Sequence, residues 1–238
     1  MSIDLRGVTA GYVKDVPVVR NIDVHVPTNA ITTVIGPNGS GKSTLLRAVV
    51  GQTPYTTGSI VVDGTEVTGV SVHRRVTEHK VAFVPQLANV FGPLTILENL
   101  EVGGARLSHK QRRQRISELF DTYPDLAAKR RVRAESLSGG QRQLLALARA
   151  LMTSPTILLL DEPSAGLSPA MMDSMFDAVR ETRDAHGVTV FLVEQNAVQS
   201  LEISDFGVVL VAGEVAKHGP AHELLSDPTV GRLYLGAA

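Results

Sequence analysis

Three groups of residues in this chain have types and spacing suited to phosphate chemistry. In Gly36-Pro37-Asn38-Gly39-Ser40-Gly41-Lys42-Ser43-Thr44, three glycines lead into a lysine and two hydroxyls. Polyphosphate is a dense, strongly hydrated anion, so a site must replace its lost water with donors that approach closely. Gly36, Gly39 and Gly41 let backbone N–H groups point inward, and a helix beginning near Lys42 adds its positive end. Lys42 supplies the charge for the β and γ phosphates, and the Ser43 hydroxyl suits magnesium. A glycine-rich turn that merely starts a helix is the plainer alternative. The whole nine-residue pattern, set behind the apolar strand Ile31 to Ile35, favours a nucleotide.

The second group is Asp161-Glu162, delivered by the apolar run Ile157-Leu158-Leu159-Leu160 to the carboxyl edge of a sheet, where ligands bind in open α/β folds. Asp161 is placed to hold magnesium, and Glu162 to orient or deprotonate an attacking water. Solvated carboxylates at a strand end are the competing reading, weakened by the phosphate loop upstream. The third group is Leu137-Ser138-Gly139-Gly140-Gln141. Ser138 can cap a helix starting near Gln141, and the two glycines expose N–H groups at its positive end. That is a second anion site in a chain whose first already encloses a nucleotide.

Composition bounds the partners. The 238 residues are 43% hydrophobic and 20% charged with a net charge of −1, so nothing marks a polyanion-binding surface. The absence of cysteine excludes disulfides and thiolate metal sites. Met1 to Arg6 lacks the basic start and apolar stretch of a signal peptide, and the apolar region from Gln143 to Leu160 is broken by Arg149 and Pro155, so no membrane span is expected.

Several elements must position these groups. Ile22, Val24 and Val26 alternate with Asp23 and His25, which predicts antiparallel β-structure early in the chain, and Ile60 to Val62 runs into an Asp63-Gly64 hairpin turn, a second ribbon. Strand Ile31 to Ile35, the glycine loop and a helix from about Lys42 to Val50 lie between them. From about Leu87 to Arg133, β-type runs give way to polar helical stretches, a helical lobe ending at Leu137-Ser138-Gly139-Gly140-Gln141. Parallel-sheet character returns at Thr156 to Leu160, Val188 to Val193 and Phe206 to Val211, with a helix around Pro169 to Ala185; a hairpin at Ala212-Gly213 and a short helix near His222 to Leu225 follow.

The ordered trio of phosphate loop, Leu137-to-Gln141 signature and Asp161-Glu162 resembles the ATP-binding cassette (ABC) family, over essentially the whole chain. The resemblance implies an α/β fold: a P-loop NTPase core with a mixed, mainly parallel sheet, an antiparallel β-subdomain and an inserted α-helical subdomain. One domain would span 1–238, with core and antiparallel sheet from 1–86 and 154–238 and helices from about 87–153. It implies ATP and magnesium as ligands, with Gly36, Pro37, Asn38, Gly39, Ser40, Gly41, Lys42, Ser43 and Thr44 around the phosphates and Tyr12 stacked on adenine. Gln86 falls at the family's glutamine loop, reaching magnesium and water alongside Ser43 and Asp161, and Gln195 at the position that senses the γ-phosphate. In the family, Ser138, Gly139, Gly140 and Gln141 of one chain would cover the γ-phosphate held by another, so two chains make two composite sites.

Two departures stand out. Gln195 replaces the histidine common at that position and cannot carry an imidazolium charge, which leaves Glu162 as the principal catalytic carboxylate. In Glu162-Pro163-Ser164-Ala165-Gly166-Leu167-Ser168-Pro169, Ser168 stands where an aspartate is usual. Together with Leu192-Val193-Glu194-Gln195-Asn196 and Leu94-Thr95-Ile96-Leu97-Glu98-Asn99-Leu100, this pattern looks like the shorter ATP-binding subunit of branched-chain amino-acid importers, with related urea and amide importers sharing much of it. The implied partners are hydrophobic permease subunits, a second ATPase chain, itself or a longer paralogue, and indirectly a solute-binding protein, at the cytoplasmic face of the membrane. A lipid exporter is the alternative with the same chemistry. A nucleic-acid or ribosome clamp is the third, disfavoured by the lack of a second cassette or a long coiled-coil insertion, and Arg112-Arg113 and Arg130-Arg131 read as solvated helix surface.

Overall fold

The computed structural model describes residues 1–87 and 89–234; residue 88 of the expected helical lobe and residues 235–238 of the expected domain lie outside them. Strands β1 (Ile3–Gly11), β2 (Val19–Val26), β3 (Ile31–Ile35), β4 (Tyr55–Val62), β5 (Thr65–Glu66), β6 (Val81–Val84), β7 (Ile157–Asp161), β8 (Thr189–Val193), β9 (Phe206–Val211) and β10 (Glu214–Pro220) form two sheets. The helices are α1 (Lys42–Val50), α2 (Val72–Thr77), α3 (Ile96–Gly103), α4 (His109–Thr122), α5 (Pro124–Ala128), α6 (Gly139–Leu151), α7 (Pro169–His186), α8 (Ala197–Glu202), α9 (Ala221–Ser226) and α10 (Pro228–Tyr234).

The antiparallel sheet has the order β2-β1-β4-β5. In β2 the alternation works as expected, with Ile22, Val24 and Val26 buried and Asp23 and His25 exposed. Asp63 and Gly64, at φ 49° and 77°, turn β4 into β5. The two ribbons expected from sequence are one sheet, because β1 pairs with both β2 and β4. Sequence pattern shows that a strand is half-buried, but not which strand lies beside it.

The second sheet has the order β10-β9-β3-β8-β7-β6, parallel from β9 to β6, with β10 returning antiparallel through Ala212-Gly213. All five residues of β3, β7 and β8 are buried, which is why these strands are mainly apolar and do not alternate, with Thr32, Thr33, Thr189 and Asp161 as the buried polar members. Side chains of β7 alternate between two cores. Leu158 and Leu160 join Leu145, Leu147 and Leu151 of α6, whereas Ile157 and Leu159 pack with Leu45 and Leu46 of α1 and Ile3 and Val8 of β1. The sheet is thus a shared wall between the α6 side and the antiparallel sheet.

The register sets the position of every strand end. Val84 pairs with Leu160, Asp161 with Val193, and Val34 with Val193. Gly36, Gln86, Glu162 and Gln195 therefore emerge along one carboxyl edge, although they are up to 159 positions apart in the chain. Helices α3, α4 and α5 occupy the stretch expected to be helical, and helix α7 matches its expected range to within a residue. Helix α6 begins at Gly139, two residues before the expected start, because Ser138 itself is the N-cap. Helices α2, α8 and α10 have no counterpart among the elements expected from sequence; two are six residues and one is seven, too short for a helical period to declare itself. Among the described residues, no helix is long and apolar enough to cross a membrane.

Candidate active site

The loop between β3 and α1 is shaped by steric necessity. Gly36 has φ 153°, and a Cβ there would lie 2.0 Å from the Leu210 carbonyl oxygen of β9. Gly41 has φ 100°, and a Cβ would meet Val19 Cγ1 at 2.7 Å. Gly41 is also the N-cap of α1 and offers no side-chain cap, so the first-turn N–H groups are left for an incoming acceptor. Lys42 is buried and its Nζ turns back to donate to the Gly36 and Pro37 carbonyl oxygens, at 2.8 and 3.2 Å. Burial lowers its pKa, against the opposing pull of Glu162, Asp161 and Glu194.

Across the loop, Ser43 Oγ donates to Asp161 Oδ1 at 2.7 Å. Asp161 is 2% exposed, and burial pushes its carboxyl up while the Ser43 hydrogen bond holds it down. Glu162 follows at φ 49°, a left-handed conformation that costs a non-glycine residue on the order of 1 kcal/mol and that collects at functional sites. The turn is held because Glu162 N donates to the Val193 carbonyl of β8 at 2.9 Å. Its Oε2 accepts from Gln86 Nε2 at 2.8 Å and from Gln195 Nε2 at 2.7 Å. One carboxylate oxygen thus gathers amides from the ends of β6 and β8, and Gln86, Glu162 and Gln195 form one cluster.

The donor set fits a magnesium-bound triphosphate. Ser40 Oγ, beside the loop, is buried without a partner among the described residues, the α1 N-terminus is uncapped, and a cavity of about 180 Å³ lies between Gly39, Lys42, Ser43 and Glu162. Asn38 and Thr44 line the same cavity. Tyr12 is 42% exposed, and its hydroxyl accepts from Arg47 Nη1 at 3.1 Å and Thr44 Oγ1 at 3.5 Å, which sets the ring next to α1. Arg47 is absent from the residues singled out by sequence; its place one turn after Ser43 on α1 is the signal that was available.

The signature stands apart. Ser138 Oγ accepts from Gln141 N, and Gln141 Oε1 accepts from Ser138 N, both at 3.3 Å, a reciprocal capping box. Among the described residues, no hydrogen bond joins Ser138, Gly139, Gly140 or Gln141 to the phosphate loop. A second cavity, about 590 Å³, separates the Gln86 segment from Gly139, Arg142, Gly166 and Leu167. Across it, Asn89 Nδ2 donates to Gln143 Oε1 at 2.6 Å. Sequence reasoning also overlooked Glu194, 1% exposed, whose carboxylate accepts from Ser164 N, Ser164 Oγ and Gln195 N.

The chain is similar to known proteins over most of its length. A family model described as "ABC transporter" matches residues 19–165. The chain is 41% identical over 227 residues to a probable branched-chain amino acid transport ATP-binding protein, LivF, of Archaeoglobus fulgidus, covering 95% of each. It is 38% identical to the high-affinity branched-chain amino acid transport ATP-binding protein BraG of Pseudomonas aeruginosa, covering 94% of this chain and 96% of BraG. Its fold superposes on a nucleotide-free ATP-binding cassette of an ABC transporter with a TM-score of 0.86 at 24% identity, covering 98% and 99%. A dimeric bacterial ABC transporter cassette gives a TM-score of 0.80 at 25% identity, covering 92% and 98%. The chain belongs to the ATP-binding subunits of the ABC transporter family and is an ATPase.

Proposed function

We propose that this chain hydrolyses ATP to drive import of branched-chain or similar hydrophobic amino acids through permease subunits. The observation that carries the hydrolytic part is the single Glu162 oxygen held by two amides beside the Ser43–Asp161 pair. The substrate class rests on similarity to LivF and BraG over nearly the whole of each chain. The reading includes one ATPase domain over 1–238, with its core and antiparallel sheet from 1–86 and 154–238 and its helical part from 87–153. It also places the chain at the cytoplasmic membrane face through its permease partners.

In this reading the N–H groups of the 36–44 loop and α1 bind the polyphosphate, and Lys42 leaves the loop carbonyls for the β and γ phosphates. Ser43, Asp161 and Gln86 would hold magnesium, which supplies charge neutralisation. Glu162 orients a water for in-line attack on the γ-phosphorus and accepts its proton as the bond to the β-phosphate oxygen breaks. Gln195 donates a hydrogen bond without delivering a charge. Tyr12 meets adenine. The capped N-terminus of α6 has no phosphate in its own chain, so a second ATPase chain, head to tail, gives it one.

Uptake decides the substrate. In cells lacking this chain, uptake of radiolabelled leucine, isoleucine and valine falls at least tenfold and returns on complementation, with urea uptake unaffected. Normal amino-acid uptake in those cells would remove the substrate assignment and leave the ATPase intact.

A further inference from the structure

Glu194 is a buried carboxylate to which the proposed hydrolysis gives no role. It follows β8 directly, with its N–H donating to the Val34 carbonyl of β3 at 3.2 Å. Its Oε1 accepts from Ser164 N at 2.9 Å, and its Oε2 from Ser164 Oγ at 2.8 Å and Gln195 N at 3.2 Å. Ser164, itself 4% exposed, lies two residues beyond Glu162.

These contacts close a ring. From Glu162 the chain runs through Pro163 to Ser164, from Ser164 two hydrogen bonds reach Glu194, and from Glu194 the next residue is Gln195. The Gln195 side chain then returns to Glu162 Oε2 at 2.7 Å. Glu162 sits inside this ring at φ 49°, a conformation it does not favour by itself. Burying a carboxylate outside the reaction is costly, since desolvation pushes the Glu194 carboxyl up to about 7 even though two backbone N–H groups and a hydroxyl converge on it and hold it down.

We propose that Glu194 is a positioning residue for ATP hydrolysis, fixing the Ser164 and Gln195 backbones so that the Gln195 amide stays on the Glu162 carboxylate. The inference rests on the reading of Glu162 as the catalytic carboxylate. A carboxylate that only stitched a loop to the sheet would affect stability alone. One that positions Glu162 affects turnover, leaves nucleotide affinity in place, and acts only while Glu162 is present.

The test uses the full chain with magnesium-ATP. Glu194→Leu lowers kcat about 10- to 100-fold with KM for ATP unchanged, the scale expected when a reacting group is displaced by about 1 Å. Glu194→Gln keeps the shape and one acceptor oxygen but turns an NH2 toward the other backbone N–H, so it recovers part of the loss. In a Glu162→Gln background, Glu194→Leu has no further effect. Parental turnover in Glu194→Leu, or an equal loss in both backgrounds, overturns the proposal. Hydrogen exchange at the Ser164 and Gln195 amides probes the same contacts without hydrolysis: protection is lost at both in Glu194→Leu and kept at one of the two in Glu194→Gln, whose single acceptor oxygen can take only one of the two places. Protection retained in Glu194→Leu overturns the proposal even if the parent proves inactive, an outcome that would separately sink the catalytic reading of Glu162. Should Glu194→Leu fail to fold, Glu194→Gln is read in its place: parental turnover with both amides still protected overturns the proposal.

Discussion

Helices α1 and α6 both have glycine at their N-terminal ends, Gly41 as the N-cap of one and Gly139 as the first residue of the other, yet they are finished in opposite ways. Helix α1 has Gly41 at its N-cap and no side-chain cap, whereas α6 has the reciprocal Ser138–Gln141 box. The helix that must take phosphate from solution leaves its donors unsatisfied until ligand arrives. Helix α6, which in the proposed dimer meets the second chain, satisfies part of its own need meanwhile. The same contrast appears in the glycines. A Cβ at Gly41 would strike Val19, but one at Gly139 would meet only Leu167 Cδ2 at 3.4 Å. Gly41 is required by the fold, whereas Gly139 could accept a Cβ at ordinary contact distance; in the proposed dimer its small size lets the other chain's phosphate approach.

The largest effect that tests this contrast is on turnover. Glu162→Gln lowers steady-state ATP hydrolysis by about 100-fold or more, with ATP still bound and a two-chain species accumulating on gel filtration. Turnover at the parental rate would remove Glu162 from the reaction. Lys42→Ala lies on the other side of the divide: ATP affinity, read by equilibrium binding, falls by at least tenfold. Its ligand-free melting temperature does not fall, because the variant removes a buried ammonium that lacks a carboxylate partner.

The paired glycine variants are expected to act in opposite directions. Gly41→Ala destabilises the ligand-free chain by about 2 kcal/mol through strain and overlap, measured by denaturant unfolding. Gly139→Ala adds about 0.5 kcal/mol through helix propensity while lowering turnover. Equal stability effects would erase the distinction drawn from Val19 and Leu167. Ser138→Ala should cost about 1 kcal/mol, with ATP binding by the single chain retained.

A further prediction concerns pH. The Glu194 carboxyl, pushed up to about 7 by burial and by the neighbouring Glu162 charge, keeps its proton in the folded chain after the unfolded chain has lost it. The folded state thus binds more protons across this window, and stability falls as pH rises from about 4.5 to about 7, by at most roughly 3 kcal/mol. Lys42, the nearby cation, limits the loss. Denaturant unfolding of Glu194→Gln shows a flatter profile over that window; an unchanged profile would mean that Glu194 does not titrate there.

Much of this site was legible residue by residue. The phosphate loop, Asp161, Glu162 and the signature each declare themselves within a few positions, because backbone donors, a lysine and two hydroxyls must be contiguous to surround one phosphate chain. Glu194 was not legible and Arg47 only through its place on α1, because the contacts of each are with a residue distant in sequence, Ser164 and Tyr12 respectively.

By itself, the sequence determined the longer elements and the chemistry they carry, though not the short helices α2, α8 and α10, since apolar periodicity, glycine placement and capping pairs are local properties of the chain. Tertiary structure alone decided that Gln86, Glu162 and Gln195 share one oxygen and that the signature stays away from its own phosphate loop. Those outcomes depend on the parallel register of β6, β7, β8 and β3, and register comes from packing both faces of a buried sheet, a property no single segment contains.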